Sequence, residues 1–545
     1  MRVNEAVIDR LIEQGISTVF GNPGKQSLPL NESIEEREGI DFVVARHETA
    51  VSHQAWGYAE TSGEMAATIV IPGPGDMNAM NGLKNALNDC VPLLHIAIET
   101  EPELRGGDGI HETPPDTYDN VVKENILVET PESTIAELDR AIDIARSTPT
   151  GPVRLGIPKN FLKMDVSLAH RTSQSPGTRA EPPERPVSEA AEILDASSRP
   201  VIVAGGGVRS GDASEELQAV AERIDAPVVS TYKGKGVLPA DHPLYAGVLS
   251  GGAPTALLEC LADSDTVLGV GTDFDAVTTG EWSVEMPSSL IHVTMHASDI
   301  GVGYTPTVGL VADAEATLGT LAEHTEEAER GGEDRAAAVR QAIDEHLKPL
   351  RERTEAPMTS VAALSAVNNS LDPETVLAVD AGGFRLWALL AVDAYGPNRY
   401  VNPGSWASMG TGLPSGIGAK MANPDREVVV LTGDGGLMMC VHELHTSVAH
   451  DIDLTVVVLN NSDYAIISEE ASRNYRFEEG AYDWASAPVS FAAIAEGYGM
   501  RALQADSTDE IRDVLSEAQS SEGPTLVEIP TDPREPQASV WDGEW

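Results

Sequence analysis

A stretch near the C-terminal end, residues 428–461, constrains the fold more than any other part of the chain. It begins with the β-branched run 428–431, which is typical of a buried parallel strand. That run leads into a Gly-Asp-Gly-Gly turn at 433–436, and a second apolar run, 456–459, leads into Asn-Asn at 460–461. The 24 residues between the Gly-Asp-Gly and the Asn-Asn are about enough for one crossover helix. The stretch therefore predicts two parallel strands joined by a helix.

The polar residues of this stretch predict a site for a metal ion and a diphosphate. Glycines at a strand-to-helix turn, here Gly433, Gly435 and Gly436, let the backbone approach an anion closely, and the following amides point at it. Asp434 adds a carboxylate and Asn461 an amide oxygen. Oxygen ligands of this kind suit Mg²⁺, which usually shares them with a diphosphate. The alternative interpretation is an ordinary glycine-rich turn, but the spacing favours the metal–diphosphate site.

The rest of the chain repeats the alternation of strand-like and helix-like segments. This alternation predicts an α/β fold of three doubly wound parallel-sheet domains. We place these domains at 1–165, 186–324 and 357–532. A Ser-, Pro- and Thr-rich linker is expected at 166–186, and a charged helix with a linker at 325–356.

Charge limits the partners of the protein. Lys and Arg together number 36 and Asp and Glu 86, so the net charge is −50. A nucleic-acid-binding protein needs a basic footprint, so we expect no nucleic acid partner. Self-repulsion on this scale is tolerable where salt screens it. We therefore expect a salt-rich cytoplasm, as in halophiles; the rival interpretation is an acidic protein of ordinary cells.

The cysteines and the apolar runs bear on compartment. Cys90, Cys260 and Cys440 are widely spaced, which indicates reduced, buried thiols without a disulfide or a metal site. The N-terminus is amphipathic and contains acids, so we expect that it is not a signal peptide. No apolar run reaches 18 residues, so we expect no membrane span and a cytoplasmic location.

Glu48 is the strongest candidate for acid–base chemistry in the first third of the chain. It follows the strand-like run 42–45, and open α/β sheets bind ligands at strand ends of this kind. The alternative is a carboxylate placed at a helix start by the helix dipole. Glycine-rich turns at 21–24 and 73–75 follow two further strand-like runs.

At these residues the chain resembles thiamine-diphosphate-dependent enzymes. The turn 433–436 with Asn-Asn at 460–461 is similar to their cofactor signature, and the Arg-His-Glu at 46–48 is similar to the start of their pyrimidine-binding helix. The resemblance covers nearly the whole chain and is closest to the acetolactate synthase and benzoylformate decarboxylase group. It implies pyrimidine-binding, middle and diphosphate-binding domains, with thiamine diphosphate and Mg²⁺ as cofactors. It also implies a homodimer or homotetramer with active sites between subunits.

In the first domain the resemblance implies that Glu48 hydrogen-bonds N1′ of the aminopyrimidine of the cofactor. Gly24 and Gly73 lie in loops that match the loops of the family around that ring. His111 replaces a glutamine that faces the cofactor in acetolactate synthases, and a histidine there can exchange protons near neutral pH. The alternative for His111 is a surface-loop residue without a catalytic role.

In the last domain the resemblance implies that the Met409 side chain bends the cofactor and that the Ala407 carbonyl accepts a hydrogen bond from N4′. The backbone carbonyl of Asp463 would complete the metal shell that Asp434 and Asn461 begin. Three further residues, Tyr464, Ile466 and Ile467, would wall the substrate pocket.

The middle domain departs from the acetolactate synthase pattern. Acetolactate synthases hold FAD there, and residues 271–280 resemble their flavin motif. Asp273, however, stands where that motif has its first arginine, and an acid beside a diphosphate is unfavourable. We therefore expect a structural middle domain, with FAD possible but disfavoured.

Together these residues predict thiamine-diphosphate-dependent decarboxylation of a small 2-oxo acid with carboligation, similar to acetolactate synthase. One alternative is a decarboxylase that does not ligate, similar to benzoylformate decarboxylase. Ile71 stands where that enzyme has a catalytic histidine, which disfavours aryl substrates. Alternatives of other classes are a catalytically silent regulatory or scaffold homologue and a nucleotide-dependent oxidoreductase.

Overall fold

The structure, a computed structural model, describes residues 1–106, 111–114, 116–166 and 180–543. Within these residues the chain forms three six-stranded sheets, and every paired strand runs parallel to its neighbour. The predicted α/β class with three doubly wound sheets is confirmed. Most of the predicted linker 166–186 lies outside the described residues. None of the described helices is both long and apolar enough to span a membrane.

The first sheet is built from residues 18–158. Its strands are β1 (Thr18–Gly21), β2 (Asp41–Val44), β3 (Ala66–Val70), β4 (Leu93–Glu99), β5 (Glu124–Leu127) and β6 (Val153–Pro158). Its helices are α1 (Val3–Glu13), α2 (Leu28–Glu35), α3 (Glu48–Ser62), α4 (Pro74–Asn78), α5 (Met80–Asn88) and α6 (Thr134–Arg146). The strand order is β2-β1-β3-β4-β6-β5.

The second sheet is built from residues 200–311. Its strands are β7 (Pro200–Ala204), β8 (Val228–Thr231), β9 (Tyr245–Leu249), β10 (Thr266–Val270), β11 (Leu290–Thr294) and β12 (Val308–Val311). The helices here are α7 (Glu184–Ala196), α8 (Gly206–Ser210), α9 (Ser214–Arg223), α10 (Thr255–Ala262), α11 (Ala314–His324) and α12 (Gly332–Arg351). The strand order is β12-β11-β10-β7-β8-β9.

The third sheet is built from residues 376–530. Its strands are β13 (Val376–Val379), β14 (Tyr400–Val401), β15 (Val428–Gly433), β16 (Thr455–Asn460), β17 (Arg501–Gln504) and β18 (Thr525–Pro530). Its helices are α13 (Ser360–Asn368), α14 (Gly383–Ala391), α15 (Gly412–Ala422), α16 (Asp434–Cys440), α17 (Leu444–Ala449), α18 (Ala465–Asn474), α19 (Phe491–Gly497) and α20 (Thr508–Gln519). The strand order is β14-β13-β15-β16-β18-β17.

The first and third sheets share one topology. In each, the chain starts at an inner strand, goes to one edge and then returns past the start, so the order reverses between β1 and β3 and between β13 and β15. Loops leave the sheet on opposite faces at such a reversal, and the crevice between them is where open α/β sheets bind ligands. The topology therefore points to two half-sites, one on each sheet.

The crossover between β15 and β16 differs from the single predicted helix. It consists of α16, a 3₁₀ turn at Val441–Glu443, and α17. At the break the buried Glu443 carboxylate accepts hydrogen bonds from the backbone N–H groups of Arg46, at 2.9 Å, and His47, at 3.0 Å. Contact with the first sheet thus overrides the continuous helix that local propensity favours.

The cysteines depart in part from the prediction. All three are free thiols, as expected. Only Cys440 is buried, whereas Cys90 and Cys260 are half-buried because both lie in segments at the surface of their sheets.

The first and third sheets pack through α3 and α15. A Cβ at Gly57 would lie 2.2 Å from the Ser415 carbonyl oxygen, and a Cβ at Gly418 would lie 1.9 Å from the carbonyl oxygen of Gln54. These two glycines let the helix backbones touch. The contact holds α3, and therefore Glu48 at its first position, against the third sheet.

A buried ion cluster joins all three sheets at one point, around the ammonium of Lys233. Its Nζ lies 3.0 Å from Glu60 Oε2 and 3.2 Å from Asp89 Oδ2, both beside the first sheet. It also donates to the Asn402 carbonyl oxygen, at 2.9 Å, beside the third sheet. Arg209 adds a second cation 2.6 Å from Glu60 Oε2. We call these five residues the three-sheet junction.

Candidate active site

Glu48 occupies the first half-site. It is 8% exposed and begins α3 at the carboxyl edge of the first sheet. Asn22 Nδ2 donates to its Oε1 at 2.9 Å, and Asn78 Nδ2 donates to its Oε2 at 3.0 Å. Both oxygens are thus oriented by side-chain amides, one from the turn after β1 and one from α4, which follows β3. Sequence reasoning missed the two asparagines, although both follow strands that were predicted.

The other first-domain candidates gather at the same edge. A Cβ at Gly24 would lie 2.2 Å from Ile71 Cγ2, and one at Gly75 would lie 2.7 Å from Ile71 Cγ1. The Ile71 side chain therefore fills the space between the two glycine loops. Gly73 has φ 66°, and a Cβ there would lie 2.8 Å from the Cα of His111. His111 is exposed and also has a positive φ, 68°.

Asp434 and Asn461 lie side by side at the carboxyl edge of the third sheet. The register pairs Gly433 with Leu459, so both turns leave neighbouring strands at the same level. Asp434 Oδ2 accepts from the Ser462 N–H at 2.6 Å, which ties the two turns directly. The spacing seen in the sequence thus becomes a short distance in the structure.

The Asp434 carboxylate is buried without a cationic side chain. It is 4% exposed, and no ion pair within the described residues involves it. Burial raises the pKa of the Asp434 carboxyl to about 6, although backbone amides such as that of Gly435, at 2.8 Å, partly offset the effect. A buried, unpaired carboxylate is costly, and a bound divalent cation would remove that cost.

The remaining metal candidate is Asp463. Its N–H donates to the Asn461 side-chain oxygen at 3.1 Å, and its carboxylate accepts from Ser468 Oγ at 2.6 Å. The side chain is therefore engaged, which leaves the predicted metal contact to its backbone carbonyl. Among the described residues no cluster of three or more His, Cys, Asp or Glu side chains could hold a metal ion.

Met409 and Tyr464 cover the glycine turn. A Cβ at Gly435 would lie 2.7 Å from Tyr464 Cε1 and 3.3 Å from Met409 Cε. Ile466 lies near the start of α14, where it is 3.6 Å from an ideal Cβ of Gly383. The structure thus brings Met409 and Tyr464 to the glycine turn and Ile466 to the start of α14.

Ala407 stands apart in its backbone conformation. It is exposed and has φ 46°, in the left-handed region that non-glycine residues rarely adopt. Strain of this kind is often retained where a carbonyl must point in one direction.

Asp380 is a site residue that sequence reasoning missed. It is fully buried at the end of β13, and its carboxylate accepts from the N–H groups of Gly410, at 3.2 Å, and Thr411, at 3.1 Å, and from Thr432 Oγ1, at 2.9 Å. It therefore fixes the loop that carries Met409 to β15, the strand that leads into Asp434. A carboxylate directly after a predicted strand was the available signal.

Within the described residues the two half-sites are not joined by a direct polar contact between their main residues, although α5 hydrogen-bonds the loop that carries Met409, through Asn81 and Ser408 at 2.8 Å. No hydrogen bond or ion pair of the described residues joins Glu48 to Asp434, Asn461 or Met409. Exposed apolar side chains surround both half-sites. They are Leu28 and Met77 at the first and Trp406, Met438, Met439, Ile467, Tyr475 and Phe477 at the second.

The residues at the third sheet fit Mg²⁺ and thiamine diphosphate. Asp434, Asn461 and the Asp463 carbonyl offer only oxygen donors, which is the set that Mg²⁺ prefers alongside phosphate oxygens. The buried carboxylate lacks a counter-charge of its own. At the first sheet, the Glu48 carboxylate is held between the amides of Asn22 and Asn78.

The middle cavity does not fit FAD. A cavity of 570 Å³ lies beside the carboxyl edge of the second sheet, and Lys233 is the ammonium that lines it. That ammonium is already paired with two carboxylates in the three-sheet junction. The acids that line the cavity are Asp89, Asp212, Asp273, Asp275, Asp299 and Asp313. A flavin diphosphate would face this charge without a free cation among the lining residues.

The glycine triplet beside that cavity packs against protein. A Cβ at Gly205 would lie 2.2 Å from the Gly271 carbonyl oxygen, and one at Gly206 would lie 2.9 Å from Lys233 Cβ. The Gly207 N–H donates to the Gly271 carbonyl oxygen at 2.8 Å. The triplet thus closes the second sheet and does not form an open phosphate cradle.

Comparison with protein families finds three adjacent matches. Residues 1–120 match the thiamine pyrophosphate enzyme N-terminal TPP binding domain, and residues 187–321 match the thiamine pyrophosphate enzyme central domain. Residues 380–529 match the thiamine pyrophosphate enzyme C-terminal TPP binding domain. Each match contains most of one of the three sheets.

Comparison with individual proteins finds relatives along the whole chain. The chain is 29% identical to the probable acetolactate synthase large subunit of Methanocaldococcus jannaschii, over 98% of this chain and 93% of that protein. It is 29% identical to the acetolactate synthase isozyme 1 large subunit of Escherichia coli, over 97% of this chain and 94% of that protein. It is 27% identical to the acetolactate synthase large subunit of Lactococcus lactis, over 96% and 92% respectively.

Proposed function

Because this chain belongs to the thiamine pyrophosphate enzyme family, we propose that it decarboxylates a 2-oxo acid and ligates the product to a second carbonyl, as an acetolactate synthase does. The observation that carries the proposal is the pair of half-sites at the edges of the first and third sheets. One holds a buried glutamate between two amides, and the other holds a buried, unpaired aspartate beside an asparagine. No observation favours a decarboxylase that does not ligate or a silent homologue.

The residues of the third sheet would hold the cofactor. Asp434, Asn461 and the Asp463 carbonyl would bind Mg²⁺, and the metal would anchor the diphosphate. Met409 would contact the thiazolium ring of the cofactor, and the Ala407 carbonyl would accept a hydrogen bond from N4′. When bound, thiamine diphosphate supplies the electron sink that allows CO₂ to leave a 2-oxo acid.

The residues of the first sheet would move protons. Glu48 would share a proton with N1′ of the aminopyrimidine, because Asn22 and Asn78 fix both of its oxygens. His111, exposed beside Gly73, would exchange a proton with the substrate. Gly24 and Gly73 would lie in the loops around the ring.

The direct test uses purified protein in concentrated KCl with Mg²⁺, thiamine diphosphate and pyruvate, followed by NMR. We expect acetolactate. Acetaldehyde alone would contradict ligation and favour the decarboxylase. Unchanged pyruvate, with every other 2-oxo acid also unchanged, would contradict the enzymatic proposal.

The proposal includes the absence of FAD from the middle cavity, on the grounds of its acidic lining. The purified protein should show no flavin absorbance, and its activity should not rise when FAD is added. A stoichiometric flavin spectrum, or activity that depends on FAD, would contradict this part.

We also propose a homodimer or homotetramer in which Glu48 of one subunit faces Asp434 of the next. The lack of a direct hydrogen bond between Glu48 and the third-sheet half-site among the described residues, and the exposed apolar side chains of both sheets, support this arrangement. The domains would be those at 1–165, 186–324 and 357–532.

Subunit mixing tests the shared site. Glu48→Gln and Asp434→Ala variants should each be inactive alone. After they are unfolded and refolded together, one site of each mixed dimer regains both native residues, so about one quarter of wild-type activity should return. No return of activity, with mixed dimers verified by mass, would contradict a site between subunits.

A further inference from the structure

A buried polar cluster lies beneath the loops that hold Glu48, and its centre is Asp76. The Asp76 side chain is fully buried. Its carboxylate accepts from Arg154 Nη2 at 2.6 Å, Thr113 Oγ1 at 2.7 Å, Tyr118 OH at 2.7 Å and His95 Nε2 at 3.0 Å. Four donors from distant parts of the chain thus converge on one carboxylate.

The cluster is closed on itself. Arg154 also pairs with the buried Glu99 and donates to Asn125 Oδ1 at 2.9 Å. His95 Nδ1 lies 2.6 Å from Thr68 Oγ1, so its Nε2–H is free to donate to Asp76. Fully satisfied buried networks of this kind hold one geometry, because any shift leaves a polar group unpaired.

Asp76 is ionised in this setting. Burial opposes the charge, but the hydrogen bond from His95 and the positive charge of Arg154 outweigh it and hold the pKa of the Asp76 carboxyl well below its usual range. Burial also lowers the pKa of His95, so the imidazole is neutral. The charge partner of Asp76 is therefore Arg154, which is 1% exposed.

One branch of the cluster leads to Glu48. Asp76 and Asn78 belong to the same short helix, α4, and the Asp76 N–H donates to the Ile71 carbonyl oxygen at 3.0 Å. Asn78 Nδ2 donates to Glu48 Oε2. The Tyr118 hydroxyl also lies 2.6 Å from the Asp76 carbonyl oxygen, which fixes the backbone of this helix.

A second branch leads to His111. The Thr113 hydroxyl donates to Asp76 Oδ2 and accepts from the Gly73 N–H at 3.2 Å. Thr113 is 6% exposed, whereas His111, two residues earlier, is exposed. The threonine therefore attaches the His111 segment to the glycine loop.

We propose that Asp76 is a positioning residue for this active site: through Asn78 it orients Glu48, and through Thr113 it holds His111 against Gly73. Asp76 touches neither cofactor nor substrate. The inference rests on the proposed function for its catalytic consequence, while its structural half is measurable in the protein without cofactor.

The first experiment measures amide hydrogen exchange in the cofactor-free protein. Asp76→Asn should speed exchange in the peptide that covers 73–78 by about tenfold or more, since the loop loses its anchor. The matched control is Asp139→Asn, which breaks another buried ion pair of the same sheet, Arg10 with Asp139 at 3.0 Å, between α1 and α6. Exchange at 73–78 should stay at the wild-type rate in this control.

The second experiment measures exchange of the C2 proton of bound thiamine diphosphate. Asp76→Asn should slow it by about 10- to 100-fold at unchanged cofactor affinity, because a small displacement of Glu48 is enough. Asp139→Asn should exchange as the wild type does. A wild-type protein that does not accelerate C2 exchange would contradict the proposed function. If the wild type accelerates C2 exchange and Asp76→Asn accelerates it equally, the positioning role is overturned.

If Asp76→Asn does not fold, Thr113→Val takes its place, with Thr113→Ser as the control that keeps the hydroxyl. Thr113→Val leaves the Arg154 ion pair intact but removes the acceptor of the Gly73 N–H. We expect amide exchange at Gly73 to be faster in Thr113→Val than in the wild type. In Thr113→Ser the exchange should return to the wild-type rate. Equal exchange in the two variants would overturn the proposal.

Discussion

At the scale of the residue, Glu48 bears the largest share of the proposed chemistry. Glu48→Gln keeps the shape of the side chain and removes the carboxylate. We expect thiamine diphosphate to bind as before, while exchange of its C2 proton slows by about 10²- to 10⁴-fold. The exposed Glu64→Gln, two positions after the end of the same helix, is the control and should exchange normally. Wild-type exchange in Glu48→Gln would remove Glu48 from the proposed role.

Ala407 allows a test of stored backbone strain. Its φ of 46° costs an alanine about 1–2 kcal/mol relative to a favoured conformation, and a glycine almost nothing. Ala407→Gly should therefore raise the free energy of unfolding by about 1 kcal/mol. Ala366→Gly, inside the regular helix α13, should lower it by about the same amount. Denaturant titrations of both variants measure the difference, and a destabilised Ala407→Gly would contradict the strain.

The candidate site was predictable from sequence where a residue follows a strand end. Glu48, Asp434 and Asn461 all have this property. Asn22 also follows a strand directly and Asn78 ends α4, but their contact with Glu48 depends on which segments lie close together across the sheet. Local sequence patterns carry no information about which segments lie close together, so these two hydrogen-bond partners are visible only in the folded chain.

At the scale of the element, most strands were predictable because a parallel strand buried on both faces reads as an unbroken apolar run. The crossover after β15 was not, because Glu443 breaks it through contacts with residues some 400 positions earlier. Asp380 was missed for a related reason. Its partner Thr432 is 52 residues away and becomes its neighbour only through the pairing of β13 with β15.

The segment after β18 makes stability depend on pH. Burial raises the pKa of Glu535 to about 7 from an ordinary 4.5, although Ser360 donates to it through its N–H and its hydroxyl. A raised pKa means that the folded state holds the proton more tightly. The stability that this group contributes is complete below pH 4.5 and is lost as the pH rises to about 7.

Glu535→Gln should remove this dependence. Relative to that variant, the wild type should lose about 3 kcal/mol of unfolding free energy as the pH rises from 4.5 to about 7. Urea titrations at intervals across it measure the loss, and the exposed Glu496→Gln serves as control. Parallel curves for the wild type and Glu535→Gln would contradict the raised pKa.

At the scale of the whole molecule, the net charge of −50 predicts a strong response to salt. The Debye length falls from about 10 Å at 0.1 M to about 3 Å at 1 M, so self-repulsion between surface carboxylates weakens. We expect the thermal midpoint and the refolding yield to rise steadily with KCl. Sucrose at matched osmolality is the control, since it does not screen charge. Full stability in dilute buffer would contradict a salt-adapted protein.

The three-sheet junction limits how this chain could exchange parts with its relatives. Lys233 comes from the middle sheet, while Glu60, Asp89 and the Asn402 carbonyl come from the other two. A chimera that imports a middle domain without this lysine keeps Glu60 and Asp89 buried but loses the ammonium that balances their charge. Such a chimera would then be destabilised at the three-sheet junction, far from either point where the two sequences are joined, unless the acids are replaced together with the lysine.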